Sequence, residues 1–189
     1  MKLIVGIVVG MIAVPVIFFL YLASGFAPTA ATDQPFPFET WLANTALRAR
    51  VQKEPSSHDL STITTADLVA AAGIYKKDCA DCHGLPARPE AAIGSGMFPP
   101  APQFFAPPPP GRGTGGPPAG APRPGGPGRG SGDYWRIKNG IRLTGMPSFE
   151  QSLTDDQMWQ LVALLQSRRN MAPEVMAALQ PDPAAPAHK

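Results

Sequence analysis

Two thiols and an imidazole stand within five residues at Cys79-Ala80-Asp81-Cys82-His83, and they use up every cysteine in the chain. Thiols two residues apart on one turn can each form a thioether to a vinyl group of a haem. The next residue then falls beneath the iron as the proximal imidazole, and this C-x-x-C-H spacing is the attachment site of a c-type haem. Two other uses of the pair lack their context. A thioredoxin-like redox pair wants a surrounding βαβ pattern, and a zinc site wants a second pair of ligands, whereas the other histidines are His58 and His188 alone. The expected cofactor is one covalent haem c, held by Cys79 and Cys82 with His83 on the iron.

Helices must position these groups. From Thr65 the pattern is helical, with a threonine suited to the N-cap, Asp67 in the first turn, and Leu68, Ala72, Tyr75 and Cys79 along one face. Gly73 inside this helix costs about 1 kcal/mol relative to alanine unless a close helix crossing uses the space. Thr154-Asp-Asp-Gln157 is a capping box, and it opens a second helix bearing Met158, Trp159, Leu161, Val162, Leu164 and Leu165. Asp155 and Asp156 suit the positive end of its dipole, Arg168 and Arg169 the negative end, and Pro173 prevents continuation. A shorter helix fits residues 134–139, with Asp133 as N-cap, Ile137 on the core face and Gly140 closing it. The fold class expected is all-α, with about three core helices.

Tyr75-Lys-Lys-Asp-Cys79-Ala-Asp-Cys82-His83-Gly84 and Asn139-Gly-Ile-Arg-Leu-Thr-Gly-Met146-Pro147-Ser-Phe149 resemble the two signature segments of class I c-type cytochromes. The order of helix, haem motif, short helix, Met loop and final helix matches too, over residues 64–170. The resemblance implies a small all-α domain with its first and last helices crossed. Ala71 stands where many members carry a glycine at the crossing, a role Gly73 can take over. It also implies a sixth iron ligand opposite His83, for which Met97, Met146, Met158, Met171 and Met176 are candidates. Met146, between Gly145 and Pro147, is preferred; Met158 and Met176 read as core filler, and Met97 is the competitor. In this family a downstream proline carbonyl accepts a hydrogen bond from the second nitrogen of the proximal histidine; Pro99, Pro100 and Pro102 are available, with Pro100 favoured.

The ends of the chain say where the domain sits. Leu3 to Leu22 is an uncharged run of about 20 residues, which at 1.5 Å rise matches the roughly 30 Å hydrocarbon core of a bilayer. It exceeds the usual apolar stretch of a cleavable signal peptide, so an anchor over residues 1–24 is favoured, although Ala27 to Ala31 offers small residues to a signal peptidase. Lys2 is the only charged residue before the run and is expected to keep the amino terminus inside, leaving the haem domain on the periplasmic side of a bacterial cytoplasmic membrane. Residues 25–63 form an arm with one helix over about 39–52, which either wraps the haem domain through Trp41 or meets a partner complex. His58 is expected in solvent. Residues 106–131 read as a disordered Pro/Gly-rich insert that builds no core, with Arg112, Arg123 and Arg129 read as part of a solvated spacer in preference to a docking site; Phe104 and Phe105 before it are expected near the haem edge. Residues 171–189 read as a tail.

A net charge of +2 points to no nucleic acid. With both axial positions filled, oxygen has no vacant iron site. The expectation is therefore no enzyme but electron transfer by a membrane-anchored monohaem cytochrome between a donor and an acceptor redox protein. A fixed cytochrome subunit of a membrane oxidase or dehydrogenase complex is the alternative, and a haem enzyme or gas sensor the third reading.

Overall fold

The computed structural model describes residues 2–107 and 130–181. It is all-helical: among the described residues there is no strand, only an isolated antiparallel bridge between Leu85 and Arg88. The chain divides into two units, Met1–Leu42 and Ala43–Lys189.

The first unit is built on α1 (Lys2–Ala23), whose mean hydropathy of 3.0 and length of 22 residues suffice to cross a bilayer. None of its side chains is buried. Beyond it, residues 24–38 turn back on the helix end, and α2 (Glu39–Lys53) begins here and continues in the second unit.

In the second unit the helices are α3 (Thr65–Asp78), α4 (Ala80–His83), α5 (Ala92–Ser95), α6 (Ser131–Asn139), α7 (Asp155–Ser167) and α8 (Pro173–Ala178). α3 packs most extensively on α7 and α8, with α6 also on α7. Where α3 meets its partners, Ala71 and Ala72 are fully buried beside Leu161, Val162 and Leu164. Small side chains permit close approach, and here two alanines supply them. The expectation that Gly73 serves the crossing is corrected: it faces solvent, with nothing near where a Cβ would stand.

Local signals set most boundaries. α7 starts at the expected capping box, with Gln157 N bonded to Thr154 Oγ1 and Thr154 N to Gln157 Oε1. α3 has the same device one residue earlier than expected, on Thr64 and Asp67. α6 begins before the expected start: Gly130, at φ 93°, is its N-cap in place of Asp133, and a Cβ at that position would stand 2.5 Å from Val162 of α7. The tail is corrected as well. Residues 173–178 form α8, started by Pro173, and Val175 and Leu179 are wholly buried in the core. The remainder of that segment, from 182 on, and most of the insert, 108–129 with its three arginines, lie outside the described residues.

The segment after α2 meets the core through Glu54, Ser56 and His58. Glu54 accepts a bond from Trp135 Nε1 (2.8 Å), Ser56 N donates to Ser131 Oγ (2.9 Å), and the exposed His58 ring stacks on Trp159 at 5.3 Å. Trp159 in turn stacks on Tyr134 at 4.3 Å.

Asp67 carries a pH test. Hydrogen bonds from Thr64, first its side chain and then its backbone, hold the carboxyl below its ordinary 3.8. A carboxyl depressed on folding contributes stability above the unfolded value, and loses it as pH falls through the folded one. Asp67→Asn is expected to lower the urea midpoint at neutral pH, with the difference from the parent closing in acid below both values.

Candidate functional site

The two cysteines and His83 sit at the α3–α4 junction. Cys79 ends α3, donating its N–H to the Tyr75 carbonyl at 2.9 Å, and begins α4, whose last residue is His83. α4 is a single turn, so its geometry depends on neighbours more than on its own hydrogen bonds. Tyr75, buried, donates its hydroxyl to the carbonyl of Gly84 at 2.9 Å and so pins the turn from α3. That burial raises the phenol well above its ordinary 10.0, and it remains a donor.

A strap of chain, residues 91–105, holds α4 from the other side. Gln103 is its hub: Oε1 accepts from Ala91 N (2.8 Å) while Nε2 donates to the carbonyls of Cys82 and Ala101 (both 2.9 Å). Phe104 N donates to the His83 carbonyl at 3.1 Å, and the Phe104 ring stacks on the His83 imidazole at 4.6 Å. Phe105 meets Tyr75 edge-on at 5.8 Å.

His83 Nδ1 lies 2.8 Å from the carbonyl of Pro102. A carbonyl only accepts, so Nδ1 carries the proton and Nε2 keeps its lone pair. The acceptor is therefore Pro102 and not the favoured Pro100, a correction of two residues that the register imposes. Ala101 N is drawn to the Gly94 carbonyl and Phe104 N to His83, which leaves Pro102 between them as the residue at the ring. Nothing within the proline run distinguishes the three prolines; the signal lay in Gln103, the one amide side chain in it.

Met146 lies in the loop after α6, partly buried against the core. Its N–H is bonded to Thr144 Oγ1 (3.2 Å) and its carbonyl accepts from Ile141 N (3.1 Å). Gly140, at φ 67°, is required where the loop returns: a Cβ there would lie 2.8 Å from the Met146 carbonyl oxygen and 2.6 Å from the carbonyl carbon of Pro147. Met97, the competing sulfur, packs on this loop, since a Cβ on Gly145 would stand 2.6 Å from its Sδ. The strap thus touches His83 through Pro102 and the Met146 loop through Met97. Met158, by contrast, is core filler as expected, wholly buried on α7.

The donor set fits a c-type haem. Both thiols are unpaired. Burial, with the charge of Asp78 adding, pushes Cys79 up to about 12, and burial also raises Cys82, so both are neutral thiols at neutral pH. Burial lowers His83 despite the Pro102 bond, which keeps the imidazole in its neutral, ligating form. Among the described residues no group of three or more His, Cys, Asp and Glu could hold a different metal ion.

No curated protein and no solved structure matches the chain. A family model does, that of "Cytochrome C oxidase, cbb3-type, subunit III", over residues 66–165, from the first turn of α3 to near the end of α7. That span takes in both segments around the Cys79–His83 turn and the Met146 loop, and it is more than half of the chain, so the protein belongs to this family: it is a c-type cytochrome, whose covalent haem c serves electron transfer.

Proposed function

We propose that this chain is a membrane-anchored electron carrier with one haem, attached through Cys79 and Cys82 and ligated by His83 Nε2 and Met146 Sδ. The observation that carries the reading is the Nδ1 bond of His83 to Pro102, which fixes the tautomer and leaves Nε2 as the free donor. A c-type haem, when bound, exchanges one electron at a time through its iron. The thioether of Met146 is a soft, neutral donor that favours ferrous iron and so raises the potential relative to a second imidazole. With His83 and Met146 both committed, no position is left for oxygen or peroxide. Tyr75, Phe104 and Phe105 keep an apolar surround on the His83 side.

The anchor is α1, with Lys2 inside, a single pass, and the haem domain on the periplasmic side. The donor and acceptor are redox proteins. The name of the matched family favours a second reading, in which the chain is a fixed subunit of a respiratory oxidase complex; stoichiometric partners in gently solubilised membranes would establish it.

An optical redox titration of the purified full-length holoprotein tests the ligation. One haem per chain in the alkaline pyridine assay, a thioether-to-iron charge-transfer band in the ferric state and no rapid binding of carbon monoxide to the ferrous state are expected. A bis-histidine spectrum, or rapid carbon monoxide binding, would overturn it.

A further inference from the structure

Beyond α1, the first unit holds large apolar side chains in solvent that no core absorbs: Phe26 is 81% exposed, Phe38 79% and Leu42 62%. The backbone that presents them is ordered by its own bonds. Tyr21, in the last turn of α1, takes the Phe36 ring edge-on at 6.2 Å, and its hydroxyl donates to the Phe26 carbonyl at 3.3 Å. The chain therefore doubles back, and Phe36 stands level with a residue still inside the apolar helix. Phe38 is held at φ 67°, a conformation a phenylalanine adopts only under constraint, and the constraint is visible: Glu39 accepts the N–H of Phe36, and Glu39 N and Leu42 N donate to the carbonyls of Phe36 and Phe38.

The charges of this stretch are equally disposed. Between Ser24 and Leu42 they are Asp33 and Glu39 alone, and both carboxylates are spent on backbone N–H groups, Asp33 on those of Thr29 and Ala30 at 2.9 Å each. Several backbone donors met within the segment (Thr29, Ala30, Asp33, Phe36, Glu39), few charges, and aromatic side chains at the end of a bilayer-length helix all suit residence at the headgroup boundary.

We infer that residues 24–42 form a collar seated in the interface of the same bilayer that α1 enters, with Phe26, Phe38 and Leu42 inserted at the boundary between headgroups and acyl chains. The occupant of this surface is lipid. The inference rests on the reading of α1 as an anchor, and it goes beyond it: the anchor continues past the helix as a folded, strained turn.

The test uses the full-length holoprotein in nanodiscs of phosphatidylcholine and phosphatidylglycerol. Both native thiols are consumed by haem attachment, so one introduced cysteine is the sole reactive site. Phe26→Cys, Phe38→Cys, Val9→Cys within α1 and Gln151→Cys on the exposed loop before α7 are compared for their reaction with a charged maleimide, each rate divided by that of the same variant unfolded. Gln151→Cys should react freely and Val9→Cys hardly at all. Phe26→Cys and Phe38→Cys should react roughly tenfold more slowly than Gln151→Cys. Free reaction at both phenylalanine positions with Val9→Cys protected overturns the collar and leaves the anchor standing. Free reaction at Val9→Cys as well overturns both.

Discussion

Met146→Ala is expected to lower the reduction potential by on the order of 0.1 V or more, within the roughly 0.8 V range that axial ligands command, while leaving the haem covalently attached. The two consequences separate because they rest on different residues. Attachment depends on Cys79 and Cys82 at the α3–α4 junction, whereas the proposed sixth bond depends on a loop 60-odd residues further along the chain, held by Gly140, Thr144 and Ile141. Loss of the sulfur opens one face of the iron to exogenous ligands, so the same variant should bind carbon monoxide when reduced and cyanide when oxidised, both rapidly. Optical titration and ligand-binding kinetics check the two halves. A variant with unchanged spectrum and potential would transfer the ligand role to another sulfur, and Met97, which already packs on Gly145, is then the residue to replace next.

Gly94→Ala is the second large effect, and it acts on folding and site together. A methyl group on Gly94 would be driven into the carbonyl oxygen of Cys82, and that oxygen cannot yield freely because Gln103 Nε2 is bonded to it at 2.9 Å. Gly94 cannot retreat either, since its own carbonyl holds Ala101 N at 2.8 Å. Backbone against backbone leaves no flexible side chain to absorb the clash. Overpacking of this kind costs typically about 1–3 kcal/mol, and the displacement falls on α4, where His83 meets Pro102. Denaturant unfolding of the holoprotein should show the loss of stability, and ferric spectra should show a heterogeneous low-spin population where the parent shows one. Substitution at Gly73, which has open space around it, should be harmless by comparison.

Residues whose meaning is local are legible in the sequence. The Cys79–His83 turn, the Thr154–Gln157 capping box and the positive-φ Gly140 that closes α6 each state their place in the spacing of a few neighbours, and each stands where expected. What escaped was decided across the fold. Pro102 rather than Pro100 meets His83 because hydrogen bonds from Gln103 and Phe104 set the register of a segment that has no period of its own. Gly130 in place of Asp133 starts α6, at a position where α7 leaves room for no Cβ, a packing constraint that no local signal states. α8 has no periodic signal because its six residues carry one deeply buried valine, yet Val175 and the following Leu179 join the core in which α8 packs on α3. His58, read as a solvent residue, is exposed and also stacked, a pairing visible only once Trp159 is placed.

The strap between Ala91 and Phe105 has a consequence for how substitutions combine. Its Pro102 end reaches His83 and its Met97 side chain reaches the loop of Met146, so a single stretch of backbone is party to both. In a double-mutant cycle, residues that share such an element fail to add, with interaction free energies of about 0.5–3 kcal/mol. Gln103→Ala, which loosens the His83 side, and Met97→Ala, which loosens the Met146 side, should therefore cost less together than the sum of their separate effects. Such sub-additivity would make the two faces of the site one cooperative unit.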